Sequence, residues 1–178
     1  MKKIKRLPGI ISLVTLFICL NLFCQGNSEK SKMQIKDSDV INLPSPNFSS
    51  STSVEEALRK RRSIRDYTDE PLTIADISQI LWAAQGIKEE TYGLRTVPSA
   101  SALYPLKLYI SSSKVHDLHP GFYKYKPQDH TIKKISEGDK RTIIANTALG
   151  QDAIENSSAI VIITAVPERT SANNYAFG

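Results

Sequence analysis

The chain has 178 residues, 40% hydrophobic and 23% charged, enough for one globular domain with its own core. Its formal charge of +5 would suit a nucleic-acid binder, but Lys2, Lys3, Lys5 and Arg6 all lie in the first 24 residues, which hold no acid. Subtracting those four leaves 19 cations against 18 acids, a balance of +1, and no diffuse basic field of the kind that grips DNA.

The basic start leads into an uncharged run from Leu7 to Phe23, rich in Ile, Leu, Val and Phe. This is the pattern of a secretory signal, at the short limit for a membrane span. It ends in Phe23-Cys24-Gln25-Gly26, and a cysteine at this junction suggests a bacterial lipoprotein lipidated at Cys24. Asn21-Leu22-Phe23 lacks the usual aliphatic residue three places upstream and the small residue before the cysteine, so an uncleaved anchor is the alternative. Residues 1–24 are therefore read as an export segment, placing the protein in the periplasm or on a membrane. The only cysteines, Cys19 and Cys24, fall inside it, which leaves the remainder without an internal disulfide, a thiolate metal site or a cysteine nucleophile.

From Ser28 to Ser53 the sequence is polar and lacks periodicity, so residues 25–52 read as a linker. Within it, Ile41 to Pro46 is expected to pack on the domain as an extended arm. The domain, residues 53–178, opens with Ser53-Val54-Glu55-Glu56, a capping-box pattern in which the Ser53 hydroxyl takes a free N–H and Glu56 reaches back. Val54, Ala57, Leu58 and Arg61 continue it at helical spacing. A second helix is predicted from Thr73, with Asp76 three residues on and a stripe of Ile74, Ile77, Ile80, Leu81 and Ala84 ending at Gly86. Trp82 lies off the centre of that stripe and is expected to face another element.

Leu106–Ser111 and Gly121–Lys126 alternate like strands. Pro127 to His130 turns the second of these into Thr131–Ile135, a hairpin with one wet face. Asp139 is expected to cap a short helix through Ile143, Ile144, Thr147 and Ala148 that stops at Gly150. Ala159–Val166, the most apolar stretch after the N-terminal run, reads as a buried central strand. Helices first and strands afterwards argue for an α+β fold rather than a βαβ alternation.

The candidate chemistry lies in two segments. Arg59, Lys60, Arg61, Arg62 and Arg65 crowd the end of the first helix. In a continuing helix Arg61 and Arg65 share a face, with Arg62 and Ser63 able to join where the chain turns, and two guanidiniums with a hydroxyl suit a phosphate monoester. A bare cluster of this kind is more often a solvated helix end whose cations complement the macrodipole. Pro98, Ser99, Ala100, Ser101 and Ala102 are small enough to let backbone approach a flat ligand, or they are simply a loop before a strand. His116, His119 and His130 occupy turn-like positions and read as surface histidines rather than a metal set. Gly86 and Gly93 form no dinucleotide fingerprint.

Taken together, in this order and spacing, these segments make the chain resemble the nitroreductase family. Ser53–Arg65 is similar to the family's opening helix and its Arg-Arg-Ser-x-Arg element, and Pro71–Gly86 to the helix that follows. Gly93–Pro105 resembles the flavin-contacting loop of the branch containing azoline-oxidising dehydrogenases of peptide maturation. Pro120–Tyr125 and Ala148–Gln151 extend the likeness, which covers about residues 43–175. The resemblance implies an α+β flavoprotein with helices on a mainly antiparallel sheet, usually a homodimer with FMN at the subunit interface. It implies that Arg61, Ser63 and Arg65 contact the FMN phosphate, ribityl chain and ring edge, with Arg62 assisting. Pro98, Ser99, Ala100 and Ser101, with Leu103 nearby, would reach the ring from the partner subunit. The chemistry would be the flavin's: hydride taken from NADH, NADPH or a small organic or peptide substrate and passed to an acceptor, with no acid–base pair required of the protein. Family members usually continue past the point where this chain ends, so the domain is expected to be the N-terminal portion of the family fold and to hold FMN weakly or not at all by itself. The second reading is a non-catalytic or truncated surface lipoprotein of the same fold with a binding role.

Overall fold

The computed structural model describes residues 39–171, so the expected export segment with Cys24 lies outside the described residues. A five-stranded antiparallel sheet forms the frame, in the order β1-β6-β5-β4-β7. Its strands are β1 (Val40–Asn42), β4 (Leu106–Ser112), β5 (Gly121–Lys126), β6 (Thr131–Glu137) and β7 (Ala159–Ala165). A separate two-stranded ribbon joins β2 (Ile87–Glu89) to β3 (Leu94–Arg95). The helices are α1 (Val54–Lys60), α2 (Ile74–Gln85), α3 (Arg141–Thr147), α4 (Asp152–Glu155) and α5 (Glu168–Ser171). The α+β class expected from the sequence is the class observed.

The core is built by α2. Its first turn carries a full capping box: the Asp76 N–H donates to Thr73 Oγ1 at 3.2 Å and the Thr73 N–H donates to Asp76 Oδ2 at 2.8 Å. The Thr73 hydroxyl also donates to Asp76 Oδ2 at 2.7 Å, and that bond first, then the Thr73 N–H, holds the Asp76 carboxyl below its usual pKa. The apolar stripe then lands on one sheet face, where Ile77 and Leu81 are buried with Leu108, Ile110, Tyr123, Tyr125 and Ile132. Ser78 is buried on this side of the helix, whereas Ile80, expected in the stripe, is 43% exposed. Gly86 closes the helix in tight quarters: a Cβ there would lie 2.2 Å from Trp82 Cδ1, so glycine alone leaves room for the indole.

The hairpin of β5 and β6 forms as expected, with alternate β5 residues buried and half-buried. Asp139 accepts the Arg141 N–H at 2.9 Å at the start of α3. Two expectations are corrected and one is carried further. Ser53 Oγ does accept the Glu56 N–H at 3.1 Å, but the Glu56 carboxylate pairs with Lys60 instead of closing the box. The arm expected at Ile41–Pro46 does pack on the domain and enters the sheet: Val40–Asn42 pairs with β6 from Val40↔Lys133 to Asn42↔Thr131, and Leu43 joins the core. Ala159–Ala165 is a strand, but at the edge of the sheet. It pairs with β4 from Leu106↔Ala165 to Ser112↔Ala159, its other side has no partner among the described residues, and Ile163 is 60% exposed.

In urea titrations Leu81→Ala should lose about 2–5 kcal/mol of stability. Ile80→Ala should stay within about 0.5 kcal/mol of the parent, as an exposed position does. Equal losses at the two sites would contradict this placement of the stripe.

Candidate functional site

The arginine tract is not helical. At Arg61 the backbone turns extended (φ −60°, ψ 127°), and residues 61–70 run exposed and irregular, so Arg61 and Arg65 do not share a helix face as expected. Among the described residues Arg61, Arg62 and Arg65 make no ion pair, whereas Glu56 pairs with Lys60 and Asp69 with Lys114. Ser63 and Arg65 line an open cleft of about 430 Å³ with Ile154 of α4 and Ala159 and Val161 of β7. The donor set is charged, forked, exposed and unused, which is what a phosphate group requires.

The second segment is a strained and tightly held loop. Ala100–Ala102 forms a short 3-10 turn, and Ser101 (φ 52°), Ala102 (φ 51°) and Tyr104 (φ 42°) are left-handed without being glycine. Such backbone costs about 1–2 kcal/mol per residue and persists only when its surroundings fix it. Here the Tyr104 N–H donates to Ser99 Oγ at 2.9 Å, and Arg169 donates to the Tyr104 carbonyl at 2.8 Å. The Tyr104 hydroxyl accepts the Arg95 N–H at 3.2 Å, while the Arg95 guanidinium lies 4.5 Å above the Tyr104 ring and donates to Gln85 Oε1 at 2.9 Å. The Ala102 and Leu103 N–H groups close the turn onto the Ser99 and Ala100 carbonyls. That leaves the N–H groups of Ala100 and Ser101, and the Ser101 hydroxyl, without partners among the described residues. Pro98 is exposed beside them and Leu103 is half-buried.

Next to this loop lies an aromatic cleft of about 760 Å³ whose lining includes Phe48, Trp82, Tyr92, Arg95, Tyr104 and His130. Phe48 meets Trp82 edge-on, with centroids 5.1 Å apart, which supplies the second element that Trp82 was expected to face. His130 corrects a sequence reading, because it is no idle surface histidine. Its Nδ1 lies 2.9 Å from the Tyr125 hydroxyl, and its Nε2 lies 2.7 Å from Ser78 Oγ and 3.1 Å from the Pro44 carbonyl. A neutral ring protonated at Nε2 satisfies the set: Tyr125 donates to Nδ1, Nε2–H donates to Ser78 Oγ, and Ser78 donates to the Pro44 carbonyl. Ser78 is buried, so this contact is a clamp rather than an exposed nucleophile. Nothing in the sequence signalled it, since Ser78 and His130 are 52 residues apart.

The structure does not bring the two sequence-derived segments together within one chain. The loop feeds into the Leu106 end of β4, whereas the arginine cleft touches Ala159 and Val161 at the other end of the β4–β7 pair. The seven-residue pairing separates those ends by roughly 20 Å at about 3.4 Å per residue.

Comparison with known proteins agrees with this architecture. The nitroreductase family model matches residues 58–177, and the chain belongs to the nitroreductase family. Among curated relatives, the Methanocaldococcus jannaschii protein MJ1384, assigned as a nitroreductase, is 42% identical over 118 residues, covering 66% of this chain and 59% of its own. The trifolitoxin operon protein TfxC of Rhizobium leguminosarum bv. trifolii is 27% identical over 110 residues, 54% of this chain and 31% of its own. Among solved structures, a protein of Ralstonia eutropha JMP134 assigned as a nitroreductase superposes with a TM-score of 0.63 at 27% identity, over 75% of this chain and 59% of its own. The chain thus spans about three fifths of the length of the archaeal relative and of the Ralstonia protein.

Burial pushes the Tyr125 phenol up to about 12, against a smaller opposing effect of Arg95. The unfolded chain ionises this tyrosine near pH 10 while the folded chain keeps it neutral, so the associated stability is complete below pH 10 and is lost as pH rises toward 12. Melting temperature should therefore fall across that window. Tyr125→Phe should flatten the fall, and an unchanged slope in that variant would remove Tyr125 as its origin.

Proposed function

We propose that the protein is an FMN-dependent oxidoreductase of nitroreductase type that works as a homodimer, each flavin being held by two protomers. One observation carries the reading: two sets of unpartnered donors, one suited to a phosphate and one to a flat heterocycle, stand at opposite ends of β4–β7. Arg61, Arg62, Arg65 and the Ser63 hydroxyl would hold the phosphate and ribityl end. The Ala100 and Ser101 N–H groups and the Ser101 hydroxyl would donate to ring oxygens and nitrogens from the partner chain, with Pro98, Ser99 and Leu103 shaping the wall. The bound flavin supplies hydride transfer between NADH, NADPH or an organic or peptide substrate and an acceptor. The protein's own contribution is to neutralise the phosphate, fix the ring plane and keep the loop rigid. The basic start and the apolar run from Leu7 to Phe23 support an exported enzyme, periplasmic or tethered to the membrane through its N-terminus with Cys24 as the lipid site.

Complementation tests this directly. Arg61→Ala/Arg65→Ala removes the phosphate donors; Ser101→Pro removes one N–H and cannot adopt the φ of 52°. Each variant alone should bind FMN at least roughly tenfold more weakly, the effect of losing charged hydrogen bonds. Co-expressed, they should regain about a quarter of the sites, because half of the random dimers are mixed and each holds one intact site. Folded variants that never complement would place the whole flavin on one chain. Unaltered affinity in the arginine variant would remove the phosphate assignment.

A further inference from the structure

We infer that the sheet face turned away from α2 is a docking surface for an anionic lipid bilayer, with lysines as its contacts. Leu108, Ile110, Tyr123 and Tyr125 are buried with α2, so alternation turns Lys107, Tyr109, Phe122, Lys124 and Lys126 to the other side. The pairings Lys124↔Lys133 and Val40↔Lys133 add Lys133 and Val40 to that side. None of the residues that the five strands place there is acidic. Lys107, Lys124, Lys126 and Lys133 are half-buried and make no salt bridge among the described residues. Like charges directly opposite each other destabilise a sheet, so the Lys124–Lys133 pair favours an anionic neighbour. The four lysines lie on the adjacent strands β4, β5 and β6, a patch about 10 Å across at about 4.8 Å per strand. That width is about one Debye length at 0.1 M salt, so the lysines present one field. The chain beyond residue 24 is nearly balanced in charge, which makes this field a local concentration.

Shape and position select a bilayer over a discrete anion. The cations stand on a sheet face rather than around one converging cavity, and the stacked Tyr109 and Phe122 and the exposed Val40 share that face. Lysine heads on apolar stems beside aromatic rings suit a headgroup layer. Ser111 is buried, so the face is covered at its end and open at the end with Lys107 and Lys126. The chain enters this sheet at its edge, through β1 beside β6 and Lys133. The stretch from Cys24 to Asp39 spans at most about 50 Å, so a domain tethered through residues 1–24 stays within reach of the same membrane. The inference takes that tether from the export reading above and nothing from the flavin assignment.

Acetylation of lysines with acetic anhydride, read by mass spectrometry on the full chain bound to vesicles, tests the face. Lys107, Lys124, Lys126 and Lys133 should react at least roughly fivefold more slowly on phosphatidylglycerol than on phosphatidylcholine vesicles, the scale of one lysine's attraction to an anionic surface. Lys60 and Lys88, exposed and outside the face, should react equally on both. Salt at about 0.5 M should abolish the difference. Lys124→Gln/Lys133→Gln removes the like-charge pair, so its melting temperature should hold or rise. Its preference for phosphatidylglycerol over phosphatidylcholine vesicles should drop at least roughly tenfold. Sedimentation with phosphatidylcholine vesicles reads the N-terminal tether alone, so failure of the export reading and failure of the face are separate results. The proposal is overturned if the four lysines react equally on both vesicles, if Lys60 and Lys88 are protected to the same extent, or if the variant keeps its full preference. Protection of the four in vesicle-free solution would assign the face to a second copy of the chain and overturn it. Equal protection by single-stranded DNA without vesicles would make the face a general polyanion site and overturn it too.

Discussion

The burial of Ile77 and Leu81 with Leu108, Ile110, Tyr123, Tyr125 and Ile132 is the contact on which the other features depend. Each such side chain removed from water contributes about 1.5–3 kcal/mol, and one long helix supplies the cover. Because strand side chains alternate, committing Leu108, Ile110, Tyr123 and Tyr125 to α2 sends Lys107, Tyr109, Phe122, Lys124 and Lys126 to the opposite face. There Tyr109 and Phe122 stack with ring centroids 5.4 Å apart, and the lysines remain partly wet. An antiparallel sheet tolerates this division. The lysines are thus set on that face by the same period of two that makes the core.

A second constraint ties the chain's N-terminal arm to this core without a covalent link. β1 adds a strand to β6, and the chain just beyond it is clamped at the Pro44 carbonyl by Ser78 of α2 and His130 of the hairpin turn. His130 takes a left-handed backbone (φ 47°), which histidine adopts more readily than most residues, and this lets one side chain close the turn and reach the arm. Polar clamps of this kind add modest net stability and strong geometric definition. In a domain whose described residues hold no cysteine, the clamp does the work of a staple between three elements distant in sequence.

How much of this was legible depended on whether the determinant was local. The capping residues Thr73 and Asp76, the strand alternation of Gly121–Lys126 and the turn at Pro127–His130 are set by neighbours within four residues, and all were readable. Ala159–Ala165 was correctly read as a strand, but its place was not readable. An apolar run is the same string at the centre of a sheet or at its edge, and only the pairing order tells them apart. Ile80 was misplaced because Ser78, polar by type, is buried once Pro44 and His130 supply its hydrogen bonds. The arginine tract was recognised as a phosphate candidate, yet its helical continuation was wrong. Glu56 pairs with Lys60 at the last turn, and nothing beyond Lys60 buries an apolar face that could hold a longer helix. The loop at Ser99 to Tyr104 showed only small residues; its left-handed backbone and its latch through Arg95 and Arg169 are tertiary properties.

The contrast between those two segments bears on how a shared site would behave. The loop is rigid before any ligand arrives, with its strain already balanced by hydrogen bonds to Ser99, Arg95 and Arg169. Donors fixed in this way orient a planar ring at little further entropic cost. The arginine tract has no such anchorage among the described residues, and ordering its long side chains opposes binding when the phosphate arrives. On the proposed reading, the loop of one protomer sets the plane of the flavin and the tract of the other adapts to its charge. A ligand bridging two chains favours the assembled dimer by mass action, so flavin affinity and dimer affinity must rise together. An enzyme built this way couples cofactor loading to assembly, and a protomer alone would carry two half-sites and no complete one.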